Sequence, residues 1–189
     1  RFFCFHNWHL PCVDLRFDAY WAGRPSPLRH SIERGRRRLA KAGAWKLAIH
    51  GPDSTSVAQA AQDFDTVYRQ SWKQPEPFPE FIPSLIRTAQ AEGWLRLGIV
   101  TLDGNPIAAQ LWLVHAGKAN IYKLAYVEGF ERYSPGSVLT AAMMEHVLEV
   151  DRVHEVDYGM GDEPYKRDWM SHRRERVGLV AFNPRTWRG

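Results

Sequence analysis

Three apolar runs, Trp94–Leu102, Ile107–His115 and Asn120–Val127, follow one another, with the turns Asp103-Gly104-Asn105 and Ala116-Gly117-Lys118 between them. Apolar runs around a short turn rich in Asp, Gly and Asn are a strong hairpin signal, because those residues accept the positive φ that tight turns require. Three antiparallel strands in succession therefore form the centre of any fold this chain adopts. Helical spacing surrounds them. Leu28, Ile32, Gly35 and Leu39 lie on one stripe, with Ser26-Pro27 as N-cap and first-turn proline and Gly43 as C-terminal cap. Ser56 and Gln59 form a capping-box pattern that opens a helix with Val57, Ala60, Phe64, Val67, Tyr68 and Trp72 on its apolar side. The spacing predicts a shorter helix over Glu80–Glu92. It predicts another over Ser137–Val150, with Leu139, Ala142, Met143, Val147 and Val150 inward. Ala44–His50, Glu155–Tyr158 and Val177–Phe182 read as further strands. A meander that feeds a helix and then another strand is an α/β pattern with antiparallel and locally parallel pairing.

The 189 residues suffice for one domain with a short extension. The net charge of +4 is too small to indicate nucleic-acid binding by itself, so no DNA partner is expected, but it suits an anionic ligand. No apolar run reaches the roughly 18–20 residues of a helical membrane span. Cys4 and Cys12 make no disulfide framework, which fits a reducing, cytoplasmic setting. The chain begins at Arg1, without a Met and without a signal-peptide pattern. Residues 1–24 read as an aromatic-rich, irregular N-terminal arm or the remnant of a preceding half, with a strand or ordered arm at the apolar start Phe2–Phe5, and residues 25–189 as the domain proper. Cys4, His6, His9 and Cys12 are zinc-capable types, but Phe3, Phe5 and Trp8 alternate with them as in a half-buried strand, and no metal is expected.

Two segments carry chemistry. In the first, a strand runs into Gly129-Phe130-Glu131-Arg132-Tyr133-Ser134-Pro135-Gly136 and a helix follows at once. A helix N-terminus offers unpaired N–H groups and the positive end of a dipole, glycine lets a phosphate approach, and Arg132 adds a charge. The same residues also suit a plain capped loop. The second segment, Asp157–Trp169, gathers Asp157, Asp162, Glu163, Tyr165, Lys166 and Trp169 after a strand expected beside Asn120–Val127. Convergent polar groups at a strand end often line a site, though surface salt bridges would produce the same composition. Gly159-x-Gly161 is not a dinucleotide fingerprint, since Pro164 stands where a third glycine belongs.

Residues 25–172 resemble the acetyltransferase domain of the CelD/BioF2-like group, a branch of the GNAT superfamily related to the Fem peptidyltransferases. The carrying residues are Arg36-Arg37-Arg38-Leu39 with Gly43, then Trp72, then Leu102-Asp103-Gly104-Asn105-Pro106-Ile107-Ala108-Ala109. Tyr122-Lys123-Leu124-Ala125-Tyr126 with Ser134-Pro135-Gly136 follows. Asp157-Tyr158-Gly159-x-Gly161-Asp162-x-x-Tyr165-Lys166-x-x-Trp169 closes the set. The resemblance implies a GNAT-like mixed sheet with an antiparallel meander, a donor-binding helix and a splayed parallel strand pair.

It also implies an N-acyltransferase that moves an acetyl or other acyl group from a CoA thioester to an amine. The acceptor would be a small molecule or a glycan- or lipid-linked amine, such as an amino sugar of a surface polysaccharide or an envelope precursor. Lys123, Ala125, Arg132, Ser134, Gly136 and Ser137 would hold the donor. Tyr165 would protonate the thiolate, with Asp157, Asp162 or Glu163 as base, and Lys166, Asp162 and Trp169 would meet the acceptor. The phosphate loop departs from the usual Gln/Arg-x-x-Gly-x-Gly/Ala pattern: its glycine, Gly136, comes one place late and the second is absent. An aminoacyl-tRNA donor, as in the Fem relatives, and a non-catalytic binding module on the same fold therefore stay open.

Overall fold

The computed structural model describes residues 1–182 and 185. Its elements are β1 (Phe2–Pro11), α1 (Phe17–Ala22), α2 (Ser26–Ala42), β2 (Trp45–His50), α3 (Val57–Arg69), α4 (Phe81–Ala91), β3 (Leu95–Leu102), β4 (Asn105–His115), β5 (Lys118–Tyr126), a 3-10 turn (Glu131–Tyr133), α5 (Pro135–Glu149), β6 (Glu155–Met160), α6 (Lys166–Trp169) and β7 (His172–Gly178). The strands form one seven-stranded open sheet in the order β2-β3-β4-β5-β6-β1-β7. β2 to β5 are the antiparallel meander. β5 and β6 run parallel but pair only at Lys118–Glu155, Ala119–Val156 and Asn120–Asp157. Beyond those three pairs the strands part, and the gap between them positions the site.

The sheet is covered on both faces. Residues alternate along β4, so Ala108 and Trp112 face α5 and α2, while Ala109 and Leu111 face α3 and α4. Helix α5 is buried on several sides: Val138, Leu139, Ala141, Met143, Met144 and Val147 are all at most 1% exposed. A helix enclosed this way holds a fixed position, so its N-terminus is presented to the gap as a rigid feature. Its approach to the sheet requires Gly98 on β3, where a Cβ would lie 2.8 Å from the Met143 sulfur. Helix α2 comes as close to the turn before α5, where a Cβ on Gly35 would lie 2.4 Å from the Tyr133 carbonyl oxygen.

Several sequence expectations change. The strand or ordered arm expected at Phe2–Phe5 is a strand, but a longer one, β1, and it is interior to the sheet, antiparallel to β6 on one side and β7 on the other. The aromatic segment after it contains α1, which was expected to be irregular. The last strand is the basic segment His172–Gly178 rather than Val177–Phe182, and Leu179, Val180 and Phe182 lie outside it, exposed. Being at the sheet edge, β7 has little apolar cover, so its sequence gives no alternation to read; charged residues also discourage edge-to-edge pairing. The capping box does not form: Ser56 Oγ meets His50 Nδ1 at 3.0 Å and makes no cap hydrogen bond. Ser26 is the first helical residue and Pro25 the N-cap. Trp72 lies past the end of α3 and packs on Tyr126 at 4.5 Å, and Val150 is 66% exposed just after α5. Among the described residues, no helix is long and apolar enough to cross a membrane.

Candidate functional site

Three connected hollows follow the gap between β5 and β6. The smallest, about 180 Å³, lies at the N-terminus of α5 between Tyr126, Glu131, Ser134, Gly136 and Ser137. Ser134 adopts a left-handed φ of 47° and turns the chain into the helix. The first intrahelical bond there is Val138 N–H to the Ser134 oxygen at 3.0 Å, so the Gly136 and Ser137 amides precede it. Pro135 carries no N–H of its own. Two N–H groups and the helix dipole thus face the hollow, which is the arrangement a phosphate needs. Glu131 shares the hollow, its carboxylate accepting from the Gly129 N–H at 3.0 Å.

Tyr126, Gly136 and Ser137 pass from this hollow into a narrow cleft of about 430 Å³. Its walls include Leu28 of α2, Trp72, Gln110, Thr140 and Trp169. Lys73, Leu124, Tyr158, Glu163 and Tyr165 line this cleft and also a wide one of about 840 Å³ on the other side of the gap. The wide cleft adds Glu76, Asn120, Tyr122, Lys123 and Lys166.

Tyr165 is 44% exposed and stands edge-on to the buried Tyr158 ring at 5.7 Å. Burial, aided by the negative charge of Glu163, pushes its phenol up to about 12, so it keeps its proton at neutral pH. Burial would raise the Glu163 carboxyl, but the hydrogen bond and charge of Lys166, a backbone hydrogen bond and the charge of Lys73 together outweigh it and leave the group below its usual range. Lys166 is 4% exposed; its ammonium donates to the Met160 carbonyl at 2.6 Å and pairs with Glu163 at 2.8 Å. It therefore fixes the Met160 end of β6 and orients Glu163. Trp169 lies in the narrow cleft, its carbonyl accepting from the Tyr20 hydroxyl at 3.0 Å.

Other expected residues lie elsewhere. Asp157 is 5% exposed and belongs to an ion cluster at the paired end of β6. It bonds Lys118 and Arg174, each at 2.8 Å, Asn7 at 2.6 Å and the Gly159 N–H at 2.7 Å. Burial raises this carboxyl, yet those hydrogen bonds prevail and hold it at about 2, which leaves it a poor base. Asp162 sits at the edge of the sheet, bound by the Trp8 indole N–H at 2.8 Å and Arg173 at 2.6 Å. Lys123 faces the wide cleft, paired with Glu76 at 2.5 Å, and the Ala125 side chain is buried on the α3 side. The Arg132 guanidinium folds back onto the Tyr133 ring and hydroxyl, while its carbonyl accepts from Arg38 of α2 at 2.7 Å.

Sequence reasoning missed Gln110, Thr140, Tyr158 and Glu76. Gln110 is 1% exposed, and its amide donates to Thr140 Oγ1 at 2.7 Å and to the Gly136 carbonyl at 2.9 Å. It accepts from the Trp112 indole at 2.9 Å, so it ties the first turn of α5 to β4. The available signal was a lone amide inside the otherwise apolar run Ile107–Val114, since a buried polar group needs partners. Among the described residues, no group of three or more His, Cys, Asp or Glu is arranged to hold a metal.

This sheet recurs in known proteins. No curated protein matches the chain. Among solved structures it is similar to FemX, with a TM-score of 0.68 at 12% identity over 92% of this chain and 60% of that one. It is also similar to L-PGS from Bacillus licheniformis, with a TM-score of 0.56 at 11% identity over 93% of this chain and 59% of the other. A conserved protein of unknown function from Bacteroides thetaiotaomicron gives 0.64 at 9% identity over 90% and 57%. The chain thus spans about three fifths of each of these structures. At such identities the likeness concerns the fold. The sequence itself matches the acetyltransferase (GNAT) domain over residues 26–167, and with the meander, the splayed strand pair and the helix N-terminus in the gap, the chain belongs to the GNAT acetyltransferase domain family.

Proposed function

We propose that this protein is an N-acyltransferase that moves an acetyl group from acetyl-CoA to a primary amine. The observation that carries the reading is the continuity of the three hollows across the β5–β6 gap, with Tyr165 and Glu163 on the wall common to both clefts. The Gly136 and Ser137 amides would hold the pyrophosphate, and the narrow cleft would take the pantetheine arm. The amine would enter from the wide cleft. Its nitrogen attacks the thioester carbon, a C–N bond forms, the C–S bond breaks and the electron pair leaves on sulfur. Tyr165 donates its phenolic proton to that thiolate. Glu163, held ionised, draws the ammonium form of the acceptor, which gives up one proton to water before the attack; the proton that the nitrogen sheds as the C–N bond forms passes through water to the Tyr165 phenolate and restores the phenol. An amino sugar of a surface polysaccharide or envelope precursor is the acceptor class the family context favours, in a cytoplasmic setting.

The test is calorimetric binding of CoA, followed by thiol release from acetyl-CoA across a panel of amino sugars, amino acids and polyamines. Micromolar CoA binding and amine-dependent thiol release are expected; no binding of CoA would overturn the reading. A second reading, an aminoacyl-tRNA donor, draws on α2, whose exposed Arg34, Arg36, Arg37 and Lys41 lie on the helix that reaches the donor loop through Arg38. Under it, charged tRNA binds and the affinity falls steeply with salt.

A further inference from the structure

Outside the three hollows lies a fourth, between α3 and α4. It has a volume of about 240 Å³ and is walled mainly by apolar groups: Ala61, Phe64, Ile82, Pro83 and Ile86. Phe64, Ile82 and Ile86 are each at most 7% exposed, so its floor is part of the second core cluster. It is not a separate surface dent, because Tyr68, Pro75 and Glu76 line both this slot and the wide cleft. The junction is braced. Glu76 accepts from the Tyr68 hydroxyl at 2.8 Å and from the Lys123 ammonium at 2.5 Å. The hydrogen bond from Lys123 is the main cause holding its carboxyl below the usual range. An ionised, doubly bonded carboxylate thus stands where an apolar slot meets a polar cleft. Apolar slots beside a few fixed polar groups are how proteins hold amphipathic small molecules.

We propose that the acceptor is an amphipathic amine whose polar, amine-bearing end occupies the wide cleft and whose apolar segment, an alkyl chain or a ring, occupies the slot between α3 and α4. The occupant is assigned to the acceptor because the slot shares residues with the wide cleft and none with the narrow cleft, where the donor arm is placed. The inference rests on the assignment of the wide cleft to the acceptor made under the proposed function. A purely polar amine would leave the walls of the slot in water. An acceptor with several carbons beyond its amine would bury them there, and each methylene taken out of water should tighten binding by about three- to fourfold.

The probes are n-alkylamines from ethylamine to octylamine, titrated by calorimetry into the protein with CoA present and with CoA absent. Affinity should rise about three- to fourfold per methylene over the length the slot can hold, then level off. Ala61→Phe on α3 should fill the slot and abolish the length dependence, leaving ethylamine affinity unchanged. Because Ala61 is partly buried and its variant could misfold, Asp65→Phe, at an exposed position on the slot's rim, should produce the same flattening. Unchanged CoA affinity in both variants certifies the fold. Flat affinity along the series in the parent would overturn the proposal, as would a length dependence that survives both variants. Octanoyl-CoA binding more tightly than acetyl-CoA in the parent alone would place the donor's acyl chain in the slot and also overturn it. Failure of CoA to bind would count against the acyltransferase reading, while the alkylamine series without CoA would still report on the slot.

Discussion

The two ends of the β5–β6 pair use charge in opposite ways. At the closed end, where Lys118, Ala119 and Asn120 pair with Glu155, Val156 and Asp157, each acidic group is matched by a cation. Glu155 and Asp157 share Lys118 and Arg174 at 2.8 Å, and the cluster ties β5, β6, β1 and β7 together. At the open end β5 and β6 no longer pair with each other, each keeping only its outer neighbour, and Tyr158, Glu163 and Tyr165 face hollows on both sides. Pairing at one end satisfies the backbone and leaves the side chains to cross-link the sheet. Parting at the other leaves side chains for a ligand. The same short strand therefore stabilises the fold at its start and builds the candidate site at its end, and substitutions at the two ends should separate activity from stability.

The largest effect belongs to the open end. Tyr165→Phe keeps the ring against Tyr158 and removes only the hydroxyl, so melting temperature and CoA affinity should hold. Turnover with acetyl-CoA and the best amine of the panel should fall about 100- to 10,000-fold, the usual contribution of a positioned acid. The phenol, pushed up to about 12, remains a donor throughout the neutral range, so the parent's alkaline limb should not reach the Tyr165 ionisation below pH 10. Full turnover in the Phe variant would make Tyr165 a packing residue and remove the chemical distinction between the two ends.

The closed end should respond in stability instead. Asp157→Asn leaves Lys118 and Arg174 with one carboxylate between them. The cost is about 3 kcal/mol, the low end for a broken buried pair because both cations remain 28% exposed. Steady-state kinetics of the folded fraction should barely change. Acid titration sharpens the point. Glu155, lowered chiefly by Arg174, and Asp157, lowered by Lys118 against its own burial, both ionise in the fold at about 2, below the 4.5 and 3.8 of the free groups. Depressed carboxylates contribute stability that is fully present above about pH 5 and is lost as pH falls towards 2. Urea midpoints measured from pH 6 to pH 2.5 should drop in the parent and drop less in the variant. Identical acid limbs would show that the cluster does not link protons to folding.

Why one end was legible in the sequence and the other was not follows from the range of the interactions. The meander and the loop before α5 are written in local signals: period-two runs, Asp103-Gly104, and Ser134-Pro135-Gly136. The closed end depends on partners far along the chain. Asn7 is 150 residues from Asp157, and Arg174 lies on a strand whose exposed, basic sequence gives no alternation. Composition placed Asp157 beside Glu163 and Tyr165, but the fold puts it in the last β5–β6 pair, opposite Asn120, with its carboxylate turned to Lys118 and Arg174. Facing direction was equally hard to read. Leu124 and Tyr126 line the narrow cleft, while the alternate residues Lys123 and Ala125 turn to the wide cleft and to the α3 side. Arg132 looked free to meet a phosphate until the turn folded its guanidinium onto Tyr133.

The smallest expected effect tests whether the open end continues to the helix N-terminus. Gly136 sits in the first turn of α5, and a Cβ there would meet only the Tyr126 ring, at 3.4 Å, an ordinary contact or slightly tighter. Gly136→Asp is therefore sterically tolerable, and an acid in the first turn favours the helix through its dipole, so the fold should be retained or slightly firmer. The same carboxylate would stand where the Gly136 and Ser137 amides face the hollow, beside Glu131, and would repel a pyrophosphate. CoA should bind at least tenfold more weakly, about 1.4 kcal/mol, while dephosphorylated pantetheine, which lacks the pyrophosphate, should bind as in the parent. Equal CoA affinity in parent and variant would remove the hollow from the donor path and confine the site to the two clefts around Tyr165. Weakened pantetheine binding would instead show that the substitution had distorted the narrow cleft itself.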